Sequence, residues 1–151
     1  MNISKFQYSE LDSLAAEARQ SDRKRMHKNL HSSHSSRVQR FLNVLYDDSY
    51  IRPHRHTLDP KTETIIVVSG VCAILLFDDL GATRSVDFVS NDPSYGDCFG
   101  VEIRPNSWHT VLSLTTYTSL LEFKAGPFDA TISKESAPWA PKENTSEGVR
   151  Y

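Results

Sequence analysis

Cysteine is scarce: the 151 residues hold two, Cys72 and Cys98. Two cysteines so placed supply neither a disulfide framework nor a cysteine metal site. Cys72 lies inside an apolar run and is expected to be a small core residue. No apolar stretch approaches the length that crosses a bilayer, and the N-terminus has no signal-type apolar segment. Charge of neither sign is in large excess: 17 Lys and Arg stand against 19 Asp and Glu, a formal net charge of −2. A balance of that kind exerts no global pull toward nucleic acid or membrane. The one basic run, Arg23-Lys24-Arg25, has Glu17 and Asp22 nearby and is expected to be a solvated surface. Internal repeats and low-complexity tracts are missing too. These absences leave a soluble, reduced, cytoplasmic protein as the expectation, long enough for one hydrophobic core.

What is present divides into three stretches. Residues 1–49 are expected to form an N-terminal helical extension. Ser9 can cap a helix, with Asp12 three residues on, and Leu11, Leu14, Ala15 and Ala18 make an apolar stripe. Gln20 to Ser36 is polar and is expected as a loop. Val38, Phe41, Leu42 and Leu45 follow i, i+3, i+4, i+7 spacing, which predicts a second short helix ending at Asp47-Asp48-Ser49.

Residues 50–128 read as β-structure. Strands are expected near Tyr50–His56, Glu63–Val68, Val71–Phe77, Arg84–Val89, Phe99–Ile103, Trp108–Leu114 and Thr118–Lys124. Ser69-Gly70 and Asp78-Asp79-Leu80-Gly81 mark hairpins. Seven short strands with frequent turns suggest a sandwich or barrel. Residues 129–151, rich in Pro and Ser, form an irregular tail, with Trp139 expected to dock it onto the barrel.

The residues that carry chemistry are His54 and His56, Glu63 and His109. Histidines at i and i+2 point to one face of a strand. With a carboxylate seven residues later and a distal third histidine, they offer three imidazoles and one carboxylate to one cation. That set suits a divalent transition metal: Fe, Mn, Ni, Zn or Cu. On a six-coordinate ion it leaves up to two positions open.

By strand parity Tyr50 and Arg52 share the inward face with the two histidines. Arg52 could hold a carboxylate or phosphate, or pair with Glu102 or Glu122. Tyr50 could donate a proton or be a core aromatic. Arg52, Tyr50 and Glu102 are thus the candidate catalytic residues. Trp108 has the opposite parity to His109 and is expected to pack. His27, His31 and His34 are spaced by four and three, a metal-binding spacing on a helix, but their serine-rich surroundings favour a loop. One of them, with Gln39 or Arg40, could reach the pocket.

The spacing His-x-His, six residues, Glu, six residues, Gly70, and then Pro105-Asn106-Ser107-Trp108-His109 resembles the two motifs of the cupin superfamily. The first motif's opening glycine falls at Asp48. The second motif's glycine falls at Asn106, its proline is displaced to Pro105 and its closing asparagine falls at Ser113. Asn is the non-glycine residue that best tolerates positive φ. More closely, the chain resembles the WbuC-type cupin-fold metalloproteins. The resembling pieces are Val38-Gln39-Arg40-Phe41-Leu42-Asn43, Arg52-Pro53-His54-Arg55-His56, Gly100-Val101-Glu102-Ile103, Trp108-His109-Thr110 and Ala137-Pro138-Trp139-Ala140-Pro141.

The resemblance implies a mainly β fold: a cupin jelly-roll β-barrel with an N-terminal helical extension and an irregular C-terminal tail. It implies His54, His56, Glu63 and His109 as metal ligands, a homodimer, and a setting in surface-polysaccharide (O-antigen) metabolism. The functions to weigh are a metal-dependent enzyme acting on a small polar molecule such as a sugar or sugar nucleotide, and a non-catalytic metalloprotein binding such a ligand. A dioxygenase or isomerase of another small acid is a further option. A metal-independent epimerase is disfavoured by the complete ligand set.

Overall fold

Among the described residues, ten strands in two antiparallel sheets face each other across the hydrophobic core. The computed structural model describes residues 3–151. One helix, α1 (Tyr8–Gln20), precedes β1 (Arg25–Asn29), β2 (Val38–Tyr46), β3 (His54–Arg55), β4 (Glu63–Ser69) and β5 (Val71–Phe77). Then follow β6 (Thr83–Ser90), β7 (Gly100–Ile103), β8 (Trp108–Ser113), β9 (Tyr117–Ala125) and β10 (Glu135–Ser136). One sheet runs β1-β2-β9-β4-β7 and the other β10-β3-β8-β5-β6. The result is the jelly-roll that the cupin resemblance implied. Strands β1 and β2 precede residue 50 and β10 follows residue 128, so each sheet draws on chain outside the central stretch.

Alternation along the strands builds the core. Leu45 on β2, Ile65 and Val67 on β4, Cys72 and Ile74 on β5, Val111 on β8 and Leu120 on β9 all point between the sheets. Leu45, Ile65, Ile74 and Leu120 are almost wholly buried, each contributing about 1.5–3 kcal/mol by leaving water. A second apolar layer lies outside the first sheet. There Leu11, Leu14, Ala15 and Ala18 of α1 cover Leu42 and Val44 of β2. The predicted stripe of α1 is therefore the buried one. Its start is Gln7, not Ser9: the Gln7 N–H donates to the Glu10 carboxylate at 2.9 Å.

Two N-terminal expectations fail. The segment read as a helix over Val38–Leu45 is strand β2, paired with β1 on one side and β9 on the other. Its inward residues Phe41, Asn43 and Leu45 face the barrel while Leu42 and Val44 face α1. A strand covered on both sides is apolar on both sides, which erases the period-2 signal. The stretch Gln20–Ser36, read as a loop, contains edge strand β1. Its polar sequence suits an edge, where one side is solvated.

The tail is fastened rather than loose. Ala137 and Ala140 are buried against Trp108, with Phe77 and Trp139 alongside. The Ala137 N–H donates to the Pro53 carbonyl at 2.8 Å. Trp108 packs outward as expected, its indole N–H donating to Asp79 at 3.0 Å, with the Arg55 guanidinium over its ring at 4.2 Å. Trp139 does dock the tail, its ring lying 5.2 Å from that of Phe77.

Candidate metal centre and its cavity

The sheet register assembles the four candidate ligands. His54 on β3 sits directly opposite His109 on β8, and their rings lie 4.4 Å apart. Glu63 opens β4 on the facing sheet, and His56 follows β3 by one residue. One donor atom from each of His54, His56, Glu63 and His109 lies within 4.8 Å of all the others. Glu63 Oε2 is 3.2 Å from both His56 Nε2 and His109 Nε2. The four side chains are buried.

Backbone carbonyls fix the rings. His54 Nδ1 lies 3.1 Å from the Arg52 carbonyl and His109 Nδ1 lies 2.8 Å from that of Ser107. His56 Nδ1 bonds the Ser133 carbonyl in the tail. A carbonyl only accepts, so each Nδ1 carries a proton, which leaves Nε2 as the ring nitrogen that faces the cluster. Pinning one ring nitrogen in this way is how proteins orient metal-ligating histidines. The turn before β8 serves the same end. Asn106 adopts φ 65°, its N–H donates to the His56 carbonyl at 3.2 Å, and His109 follows three residues later. Asn replaces glycine there at small steric cost.

Charge is arranged around this cluster. Burial alone would raise the Glu63 carboxyl, but the Lys124 ammonium and hydrogen bonds from His109 and His56 together hold it well below the usual range. Burial, and then the neighbouring His109, push His54 well below the ordinary histidine value, so it is neutral at pH 7. Glu122 on β9 is pushed up to about 8 by burial and by Glu63, and accepts from Asn43 Nδ2 at 2.8 Å. The donor set is buried and offers three imidazoles and one carboxylate, and it fits a divalent transition ion.

Two cavities meet at the cluster. A small one of about 130 Å³ lies inside the barrel between His54, Glu63, His109 and Glu122. A larger one of about 460 Å³ opens on the other side, against His56 and Lys124. Met26, Phe41 and Phe128 make its apolar wall, and His27, His31, His34 and Gln39 line it as well. The three N-terminal histidines therefore reach the pocket from β1 and the loop after it, not from a helix. The basic run reaches it too. Arg25 is buried, donating to the Tyr50 carbonyl at 2.8 Å and to Glu143 at 2.6 Å, so it departs from the solvated surface expected of the run, while Arg23 remains exposed.

Strand parity misplaces Tyr50 and Arg52, and Glu102 also lies apart from the cluster. Residues 50–53 are not regular strand, and it is Ile51, not Tyr50 or Arg52, that joins the core beside His54. Pro53, without an N–H, cannot extend the β3 ladder backward. The Tyr50 hydroxyl donates to the Pro141 carbonyl at 3.0 Å, and burial, with Tyr151 nearby, pushes its pKa up to about 12. Arg52 pairs with neither Glu102 nor Glu122. Its Nη2 donates to the Ala137 carbonyl at 2.6 Å and its backbone N–H to Glu143 at 3.2 Å. Glu102 is exposed on β7 opposite Thr64, away from the cluster.

Sequence reasoning passed over Lys124 and Lys134, and treated Glu122 only as an alternative partner for Arg52. The β4–β9 register sets Lys124 opposite Glu63 and Glu122 opposite Ile65, a fact visible only once sheet order is known.

The solved structures that resemble this one share its fold at low identity. CapF with the inhibitor 3-isopropenyl-tropolone superposes with a TM-score of 0.62 and 20% identity over 77% of this chain and 32% of CapF. The capsular polysaccharide assembling protein CapF from Staphylococcus aureus gives 0.60 and 20%, over 73% and 29%. A cupin 2 domain-containing protein from Halorhodospira halophila gives 0.51 and 16%, over 71% and 72%. This chain thus spans about a third of CapF and most of the smaller protein. No curated protein sequence matches it. Residues 6–87, from α1 through β6, match a family defined by sequence alone. The chain therefore belongs to DUF6016, a domain of unknown function, carried on a cupin-like jelly-roll.

Proposed function

We propose that this protein holds a divalent transition metal on His54, His56, Glu63 and His109, and through it binds and transforms a small polar molecule. The observation that carries the reading is the preset donor set: four atoms within 4.8 Å, with each imidazole's other nitrogen tied to a carbonyl. Such an ion polarises a carbonyl or hydroxyl of the bound molecule. The chain's own residues bind and orient it, in a cavity of about 460 Å³ with an apolar wall and a polar one, the usual make-up of a small-molecule site.

A sugar or sugar nucleotide of surface-polysaccharide metabolism is the substrate class we favour, and a WbuC-type identity goes with it. The fold shared with a capsular polysaccharide assembling protein supports this reading, as does the sequence resemblance. Elemental analysis of protein purified without added metal tests the first half. Stoichiometric metal in the wild type, lost when His54 and His109 are both alanine, is expected; unchanged metal in that variant would sink the assignment. Turnover of sugar nucleotides, with and without chelator and under air or argon, tests the second. Tight binding without turnover would make the protein a binder instead.

A further inference from the structure

The cavity beside the cluster carries more positive charge than its walls can balance. Arg23, Arg25, Lys61, Lys124 and Lys134 line it, with Asp59 as the facing carboxylate. Asp59 is already paired with Lys61 at 2.6 Å. Glu143 serves Arg25 at 2.6 Å and Arg23 more loosely at 3.6 Å through the same oxygen. Lys134 has no ion-pair partner among the described residues.

Lys124 is the exceptional cation. Its Nζ lies 2.6 Å from Glu63 Oε1 and 3.4 Å from His56 Nε2. It touches two of the four candidate ligands and neutralises the one negative charge among them. Glu63 therefore divides its carboxylate, with Oε2 toward the imidazoles and Oε1 toward Lys124. An ammonium in that position stands in for part of a cation's charge. Once Glu63 gives its charge to a divalent ion, Lys124 loses the one carboxylate with which it is ion-paired among the described residues. The ammonium and the ion, like charges a few ångströms apart in a partly buried site, then repel each other.

We propose that Lys124 couples metal binding to anion binding. With Glu63 committed to metal, Lys124, Lys134 and Arg23 receive the phosphate group of a small phosphorylated molecule. The ring of that molecule lies on the Met26, Phe41 and Phe128 wall. The inference rests on the metal reading above and adds the substrate's charge and the residue that senses loading. Binding linkage makes the effect reciprocal, so phosphate tightens metal by the same factor as metal tightens phosphate.

Calorimetry on the full chain tests it, with inorganic phosphate titrated into chelator-stripped protein and into protein reloaded with Mn2+. Phosphate should bind the loaded form at least ~10-fold more tightly. Lys124→Gln should tighten Mn2+ alone by about tenfold, because it removes the competing ammonium, and should loosen phosphate on the loaded form. Lys134→Gln should loosen phosphate and leave Mn2+ affinity unchanged. Equal phosphate affinity in stripped and loaded protein, or a Lys124→Gln that loosens metal, overturns the proposal.

If Lys124→Gln fails to fold, the wild type alone decides. Acetylation of Lys124, followed by mass spectrometry, should rise on Mn2+ loading and fall back on adding phosphate, and unchanged labelling overturns the coupling. No metal binding by the wild type would defeat the metal reading itself. Metal binding without coupling to phosphate defeats only the role given to Lys124.

Discussion

Metal should act as a staple between the two sheets, and its removal should be measurable as lost thermal stability. His54 and His109 belong to the second sheet and Glu63 to the first. An ion held by all of them resists the separation that global unfolding requires. The metal-free cluster still folds, because Glu63 keeps Lys124 at 2.6 Å and both His56 and His109 at 3.2 Å. Stripped protein should therefore melt cooperatively, but at a lower temperature. An ion present at about 100 times its Kd adds about 2.7 kcal/mol. For a chain of this length each kcal/mol moves Tm by about 2–4 °C. The expected rise is thus ~5–11 °C. Differential scanning calorimetry on stripped protein, with Zn2+, Mn2+, Ni2+ or Fe2+ added back, measures it. His109→Ala lowers the starting Tm by opening a cavity at a wholly buried position, so the quantity to compare is the metal-induced shift within each protein. A shift as large in a His54→Ala, His109→Ala double variant as in the wild type would refute the reasoning, as would no shift in the wild type with any of the four ions.

Glu143→Gln should cost about 2 kcal/mol in urea unfolding, since it strips the buried Arg25 of its counter-charge. Burial by itself would raise the Glu143 carboxyl, but Arg25 and the Arg52 N–H hold it below 4.5. Its contribution is therefore complete above that value and is lost as pH falls through the lower folded value. A wild-type and Glu143→Gln stability gap that fails to narrow in acid would contradict this. Gly81→Ala should destabilise by ~1–3 kcal/mol, because φ is +88° and a Cβ would sit 2.7 Å from the Trp139 ring; a neutral result in thermal melts would refute it. Asn106→Gly should be tolerated and Asn106→Val should lose metal affinity, because the turn at φ 65° sets His109 and meets the His56 carbonyl. Equal metal affinity in the two variants would break that link.

How much was legible depended on whether a signal was local. The stripe of α1 and the short apolar runs that form β4, β5 and β8 are properties of short stretches, and they read correctly. His54, His56, Glu63 and His109 do converge as their spacing suggested, because His-x-His on a strand fixes a common face without further knowledge. β2 misled because helix α1 and the barrel interior both demand apolar residues from it, leaving four aliphatic and aromatic positions at helical spacing. Parity carried back through Pro53 misled in the same way, since the ladder it assumed stops at His54. Lys124 and Glu122 were beyond reach for another reason. They enter the site through the pairing of β9 with β4, roughly 60 residues apart in sequence, and no local pattern encodes that partnership.

The bond from His56 to the Ser133 carbonyl ties the centre to the order in which the chain is made. A nascent chain that has emerged as far as residue 128 already holds all four ligands and every strand but β10. One imidazole is then still free to rotate, because the carbonyl that sets it has not left the ribosome. The same incoming segment supplies Ala137 to Arg52 and Glu143 to Arg25. Alignment of His56 thus waits for the segment after residue 128, and a product ended before Ser133 would carry the four candidate ligands with one of them unset.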